Sequence, residues 1–584
     1  MLNRRSWSVS ALVLVAISLF LTLLTGRIYL SHNISSWPRP HVVESPTRLE
    51  VSAVTAAKFP LEYYPNNEAE DVCSRYSPTY LDDFRALTAS YCEPASPAKL
   101  TCFHRSSGFN KVTDSFCFAQ GAVLDTSRGR FQLDCALRQL SQEEQDDGIL
   151  PFDRLPAYWY ETGPANVFSL AVDVNRRTSP PLVDSEAAAK VDKATTREST
   201  PAPGLDTTPP VTSQTPLPSP KKLLLLKREG EGNPWHCLME IFSTYMTFDI
   251  LRMSGDSAEG HPLFQDPEDS YDTQVVILDS REDGPYFDLW TLFSRRKPLR
   301  IHQLLGDRSM ANSLKDVDLI VPLAGSSNPF WKDDERAEQC TQAPILDVFS
   351  RRVLEFYGVE EPLVRQSNKP IVVTFVNRRE SRRLHKERYL LAELQRRDPH
   401  IDVRMVDFAA LPFSEQVRVA RETDVLVGVH GAGLTHSMFL RPGAAAVVEI
   451  QPNEMDHKGF RNIAGMRGLG YFRVHSNTIS PEDWREGEEE IRNSRDETGG
   501  HATEPSNESS PLQGRKSTKY HQRRAVANHQ DDDEADEIAV GRGLRRRDGW
   551  HLADVEIEED RFFEVVEAAT KYMYNKGPWG FDVN

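Results

Sequence analysis

Short apolar runs rich in β-branched residues recur at 274–278, 318–323, 371–376, 402–406, 424–429 and 446–450. Apolar positions at helical spacing fill the intervals at 344–357, 384–397 and 414–423. A continuous apolar run of about four to eight residues suits a strand covered on both faces, and strand, helix, strand at this rhythm predicts a parallel sheet flanked by helices. That is the doubly wound α/β class. One more amphipathic helix is predicted near the end, in "EEDRFFEVVEAATKYMYNK". Near the start, "SVSALVLVAISLFLTLLT", residues 8–25, holds no charge and follows Arg4 and Arg5. Such a run matches the roughly 18–20 residues that cross a bilayer as a helix, and the preceding positive charge keeps the N-terminus cytosolic. A cleaved signal peptide has a shorter apolar region and a small-residue cleavage site. A retained type II signal-anchor is therefore expected, with the rest of the chain lumenal.

The pattern fails in two places. Residues 175–222 include "STPAPGLDTTPPVTSQTPLPSP", and residues 481–547 include "EGEEEIRNSRDETGG" and "QDDDEADE". Neither can bury enough apolar surface to fold, so both are expected to be disordered inserts. The chain then divides into a tail (1–7), anchor (8–25), stem (26–60), a cysteine-bearing part (61–174), the rest of an N-terminal lobe (223–340), a C-terminal lobe (341–480) and a closing segment (548–584).

A net charge of −17 argues against nucleic acid as partner. Seven cysteines, Cys73, Cys92, Cys102, Cys117, Cys135, Cys237 and Cys340, suit disulfides in an oxidising lumen, and the odd count leaves at least one unpaired. No C-x-x-C pair occurs, so zinc is not expected. Asn33 and Asn507 stand in glycosylation sequons.

Three segments could carry chemistry. In "DVLVGVHGAGLTHSMFLRPGAAAVVEIQP", residues 424–452, a strand runs into His430-Gly431-Ala432-Gly433. Ligands bind at the carboxyl ends of parallel strands, and glycine lets backbone approach them closely. A helix starting near Gly433, with Leu434 and Thr435 in its first turn, would point free N–H groups at an anion. Glu449, on the next strand, would accept hydrogen bonds from ribose hydroxyls. Together these suggest a nucleotide site; the plain alternative is that the glycines only permit tight strand–helix packing. No G-x-x-x-x-G-K-[ST] or G-x-G-x-x-G occurs, and a lipase-like reading lacks its G-x-S-x-G elbow. In "VVTFVNRRESRRLHKE", Arg378, Arg379, Arg382 and Arg383 follow a buried strand and suit phosphate oxygens, though helix caps and solvated faces use arginine too. In "NPWHCLMEIFSTYMTFDILRM", His236 and Glu240 lie four apart on a helix, and either could be a general base. A surface His–Glu pair is the commoner meaning of that spacing.

Assembled, these segments resemble glycosyltransferase family 61, and within it the EGF domain-specific O-linked N-acetylglucosamine transferases. "VGVHGAGLTHSMFL" with the acid-bearing strand after it is similar to the family's most distinctive motif. "WHCLMEIFSTYMT", "SFCFAQGAVLD" and the closing "GPWGF" resemble its other conserved segments. The resemblance implies a GT-B-like fold, two Rossmann-like lobes about a central cleft. It implies an inverting transfer from a UDP-sugar to a lumenal protein or glycan acceptor. Arg378, with Arg382 and the His430–Gly433 turn, would contact UDP, and His236 and Glu240 would face the cleft, one of them as base. N-acetylglucosamine onto Ser/Thr hydroxyls is the expected transfer; the alternatives are xylose onto a glycan, or a sugar-nucleotide-binding pseudoenzyme. The Asp-x-Asp of the EGF-specific branch is missing from "SRRKPLRIHQL", and Asp316-Val317-Asp318 sits at a strand start, so no metal cofactor is expected. The end, "GFDVN", is no retrieval signal, which leaves ER and Golgi equal.

Overall fold

A computed structural model describes Tyr63 and residues 73–106, 113–174, 219–485 and 553–575, with short breaks inside 219–485, together with Asp582–Val583. The proposed anchor at 8–25, the stem, Asn33, Asn507, "GPWGF" and nearly all of both inserts lie outside the described residues. No helix among those described is long and apolar enough to cross a membrane.

The C-terminal sheet follows the sequence pattern closely. Strands β10 (Ile371–Val376), β11 (Ile401–Val406), β12 (Val425–Val429), β13 (Ala446–Pro452) and β14 (Gly470–Ile479) lie in the order β11-β10-β12-β13-β14, all parallel. Helices Glu387–Arg397, Phe413–Glu422 and Gly459–Met466 make the crossovers. Every residue of β12 and β13 is buried, as a parallel strand covered on both faces requires. β15 (Asp554–Glu556) and β16 (Asp582–Val583) return from the far end of the chain to pair with β14. The helix Glu559–Asn575 packs its apolar stripe on β13 and β14. The helix expected over 384–397 begins only at Glu387, because Leu384 bridges to Val555 and Lys386 takes a left-handed φ of 58°.

The N-terminal sheet departs from a plain Rossmann lobe. Its parallel half is β9 (Lys315–Val321), β6 (Lys222–Leu226), β7 (Gln274–Ile277) and β8 (Leu299–Arg300). Its other half is antiparallel: β1 (Thr88–Ser90), β2 (Lys99–Ser106), β3 (Thr113–Asp125) and β4 (Arg130–Leu133), with β5 (Val172–Val174) beside β4. Connections this short cannot hold a crossover helix, so the strands they join run antiparallel. Cys102–Cys117 staples β2 to β3 and Cys92–Cys135 closes the outer edge, while Cys73–Cys340 ties two segments 267 residues apart. Native bridges of this kind contribute about 2–5 kcal/mol each. Cys237 is buried and unpaired by disulfide. Lys222, which composition placed in the Pro/Ser-rich tract, instead opens the buried strand β6.

The helix Pro234–Met253 joins the two sheets. Asn233 caps it by accepting from the Trp235 N–H, Pro234 occupies its first turn, and nearly its whole length is buried. It packs both on the loop after β9 and on the turn that follows β12.

Candidate functional site

The crevice of the C-terminal sheet lies at the end of β12. Gly431 has a φ of +144°, and a Cβ there would sit 2.7 Å from Arg378 Nη1 and 2.9 Å from Arg382 Nη1. A Cβ on Gly433 would meet Val376 Cγ1 at 2.6 Å. Glycine therefore does two jobs: it lets the backbone pass beneath two guanidiniums, and it lets the turn close on β10. The element that follows, Ala432–Phe439, is a 3₁₀ turn and not the expected α-helix, and no side chain caps its start. Packing explains the tighter winding. Leu434 is fully buried against Gly428, and His436 is sandwiched on Phe408 while bonded to the Gly433 carbonyl and to Gln416. Burial pushes His436 down to about 4, so it is a neutral structural residue. Leu434, a proposed contact, belongs to the core, and Thr435 is buried with a hydroxyl that makes no hydrogen bond among the described residues.

The four arginines divide. Arg379 pairs with Asp407 at 2.7 Å and Arg383 makes a forked pair with Asp554, so both are neutralised within the fold. Arg382 donates to the His430 carbonyl at 3.1 Å. Arg378 donates its Nε–H to the Ser381 carbonyl at 2.9 Å and has no carboxylate partner among the described residues. Burial pulls its guanidinium below the usual range, which is the sign of a cation short of counter-charge.

Glu449 does not do what its position suggested. It lies inside β13, opposite Gly428, and is fully buried. One oxygen faces His430 Nδ1 at 2.5 Å and the other accepts from the Tyr471 hydroxyl at 2.6 Å. Burial would raise this carboxyl, but the bonds from His430 and Tyr471 outweigh it and hold it below the usual carboxylate range. Burial also depresses His430, against the pull of Glu449. Glu449 thus fixes His430 and is withdrawn from any ribose.

A second cluster gathers at the carboxyl ends of the parallel strands of the N-terminal sheet. Glu229, three residues past β6, is 1% exposed, and its Oε2 lies 3.1 Å from His236 Nδ1. His236 and Glu240 do not pair as their spacing suggested. Glu240 turns inward and accepts the Glu229 N–H at 2.8 Å, because the loop after β9 brings Gly325 against it: a Cβ there would lie 2.8 Å from Glu240 Cγ. Burial first, and then the neighbouring Glu229, push the Glu240 carboxyl well above its ordinary value. Burial raises Glu229 as well, and the bond to His236 opposes that rise. A cavity large enough for one water lies beside Glu240, bounded by Lys227, Thr244, Leu323 and Gly325. Arg228 is locked to Asp279 at 2.8 Å. Asp318, of the Asp-Val-Asp at the head of β9, pairs with Lys222 at 2.9 Å, a structural edge.

The two clusters share a neighbour. Phe460 stands 5.8 Å from the Trp235 ring and 5.5 Å from His430. Phe460 therefore links the first turn of the helix that carries His236 to the His430 turn. Among the described residues, Cys73, Glu338 and Cys340 are the one group with metal-ligand proximity, and the disulfide removes both thiolates from it.

These features define a two-sheet α/β protein with an anion-suited crevice at a strand–turn junction. Residues 235–448 match the family described as Glycosyltransferase 61. Similar proteins include the EGF domain-specific O-linked N-acetylglucosamine transferases of Drosophila melanogaster (27% identical over 250 residues, 42% of this chain and 44% of that one) and Rattus norvegicus (30% over 134 residues, 23% and 25%). That of Mus musculus is 43% identical over 72 residues, 12% and 13% of the two chains. The chain thus matches less than half the length of each of these relatives.

Proposed function

We propose that this chain is an inverting glycosyltransferase that moves N-acetylglucosamine from UDP to Ser/Thr hydroxyls of proteins in the secretory lumen. The observation that carries the reading is Arg378, a half-buried cation beside Gly431 with no carboxylate among the described residues to neutralise it. A diphosphate leaving group brings that missing charge, and its negative charge grows as the sugar departs. His430, Ala432 and Gly433 border the same crevice, and Arg382 lies over Gly431. In the GT-B-like arrangement proposed here, UDP occupies the C-terminal sheet and the acceptor reaches His236 from the other side of Phe460. Of the two candidate bases, the outward-facing imidazole of His236 fits better than the inward, buried Glu240. N-acetylglucosamine and a protein acceptor are carried over from the activity for which the similar proteins are named. Three disulfides support an oxidising compartment, consistent with an anchor at 8–25 in the ER or Golgi membrane.

The test uses the full chain from a secretory host. Thermal shifts with UDP-GlcNAc, UDP-xylose, UDP-GalNAc and UDP-glucose, each with and without EDTA, are followed by transfer to a folded EGF repeat. Stabilisation by UDP-GlcNAc insensitive to EDTA, with transfer, is the expected result. A response to UDP-xylose alone would keep the site and replace the named sugar. A folded chain that responds to none of the four would remove the reading.

A further inference from the structure

His236 is held on three sides. Glu229 Oε2 lies against Nδ1, the Trp331 ring meets the imidazole edge-on at 4.4 Å, and the Tyr160 ring does so at 5.5 Å. Tyr160 is placed by a turn in which Tyr158, Tyr160 and Glu161 all take left-handed φ values of 56–59°. Conformations of that kind cost about 1–3 kcal/mol each and persist where the surroundings hold them. Here Lys227 donates to the Tyr160 carbonyl and to Glu161, and Tyr158 donates its hydroxyl to Asp114. The imidazole keeps 21% exposure, and Nε2 makes no hydrogen bond among the described residues. Glu229 is itself immobilised, with its N–H given to Glu240 and Gly325 packed against its Oε1 at the distance of a missing Cβ, 3.0 Å.

We propose that Glu229, a residue outside the sequence motifs, is the positioning residue of His236. It accepts the Nδ1 proton, so the imidazole presents its lone pair at Nε2, and it stabilises the imidazolium formed during transfer. A buried carboxylate acting on one imidazole nitrogen is the arrangement that fixes a tautomer for general-base work at the other. This deepens the transferase reading and rests on it. The step balances without a further reactant. The acceptor O–H gives its proton to Nε2, and the acceptor oxygen forms the new bond to the sugar's anomeric carbon. The bond from that carbon to the β-phosphate oxygen breaks, its electron pair leaves with UDP, and the imidazolium returns its proton to water. The charged and titratable groups around His236 are Glu229, Glu240 behind it, the Arg228–Asp279 pair, Arg281, and the Lys227–Glu161 pair across Tyr160.

The experiment compares full-length wild type with E229Q and E229D in UDP-GlcNAc transfer to a folded EGF repeat, UDP-induced thermal shift, and ¹⁵N NMR of His236. The wild type is expected to show the Nδ1–H tautomer. E229Q is expected to lose about 10²–10⁴-fold in kcat, as loss of general-base function does, with the UDP shift unchanged. The acid limb of its kcat/KM profile is expected to move to lower pH, since the imidazolium loses its counter-charge. E229D keeps the charge and is expected to recover part of kcat; should E229Q not fold, the His236 tautomer of the wild type decides. An Nε2–H tautomer in the wild type overturns the proposal. So does a folded E229Q with wild-type kcat and an unmoved acid limb. A chain with the Nδ1–H tautomer that transfers from no UDP-sugar removes the transferase reading instead, and the catalytic part of the proposal with it.

Discussion

Two histidines, one beyond each sheet, are each held at Nδ1 by a buried glutamate, and the pairs differ in what stands behind them. Glu449 is backed by the Tyr471 hydroxyl, Arg382 bonds the carbonyl of the His430 it holds, and its carboxyl is held low. Glu229 is backed by a second carboxyl, Glu240, and both acids are pushed up. Donors and cations around the first pair suit a site that receives negative charge. Crowded acids in the second suit one that handles a proton, since like charges buried together favour keeping one protonated. One His–Glu motif thus serves two ends of the proposed reaction.

The sharpest way to break the comparison is to spoil the anion side alone. Gly431→Ala puts a methyl 2.7 Å from Arg378 Nη1 at a φ of +144°, so the guanidinium must move away. Loss of the UDP-induced thermal shift, equivalent to more than about 100-fold in affinity, is expected, with His236 NMR signals unchanged. Arg378→Ala should cost somewhat less, about 10–100-fold, the range for one charge-assisted contact. Wild-type UDP affinity in Arg378→Ala, measured by titration calorimetry, would remove the diphosphate from that corner.

Glu449→Gln sharpens the contrast through stability. Its carboxyl is held below the ordinary range, so its contribution is present above about pH 4 and is lost as pH falls through the depressed value. The substitution should therefore cost about 1–3 kcal/mol at pH 7, with the gap to wild type closing in acid. Tyr471→Phe removes one neutral donor from the same carboxylate and should cost about 1 kcal/mol. Chemical denaturation at several pH values reads both, and a pH-independent gap for Glu449→Gln would show that its charge is not what matters.

The difference between the clusters also explains what could be read from sequence. β10, β12 and β13 are continuous apolar runs bounded by helical stretches, so the C-terminal sheet and its glycine turn were legible. β6 is "KLLLL" fused to a Pro/Ser-rich tract, and without that strand nothing marks Glu229 as lying at a carboxyl end. The i, i+4 rule put Glu240 beside His236, but Gly325, 85 residues further on, admits Glu240 inward and leaves Glu229 as the partner. Four arginines in six residues looked alike until Asp407 and Asp554, both distant in sequence, took two of them. Glu449 was visible as an acid on a buried strand, but its role depended on Tyr471 of β14, a strand the apolar pattern did not announce. Local periodicity reports burial, while the role of a polar side chain is set by partners that only tertiary structure supplies.

The smallest expected effect decides between the two acids of the N-terminal cluster. The Glu240 carboxyl is raised well above its ordinary value, so between the ordinary and the raised value folding must return a proton that the unfolded chain has released. Its contribution to stability is full below about pH 4 and declines as pH rises towards the raised value. Glu240→Gln keeps an oxygen able to accept the Glu229 N–H and needs no proton. It should match wild type near pH 4 and exceed it by a margin that widens as pH rises towards 7, read as a higher Tm. Transfer should survive within a few-fold, because on this geometry Glu240 supports Glu229 and never meets the acceptor. A base at Glu240 would instead lose about 10²–10⁴-fold in kcat on the same substitution. A Glu240→Gln variant that is more stable yet inactive would move the base from His236 to Glu240 and return Glu229 to a structural role.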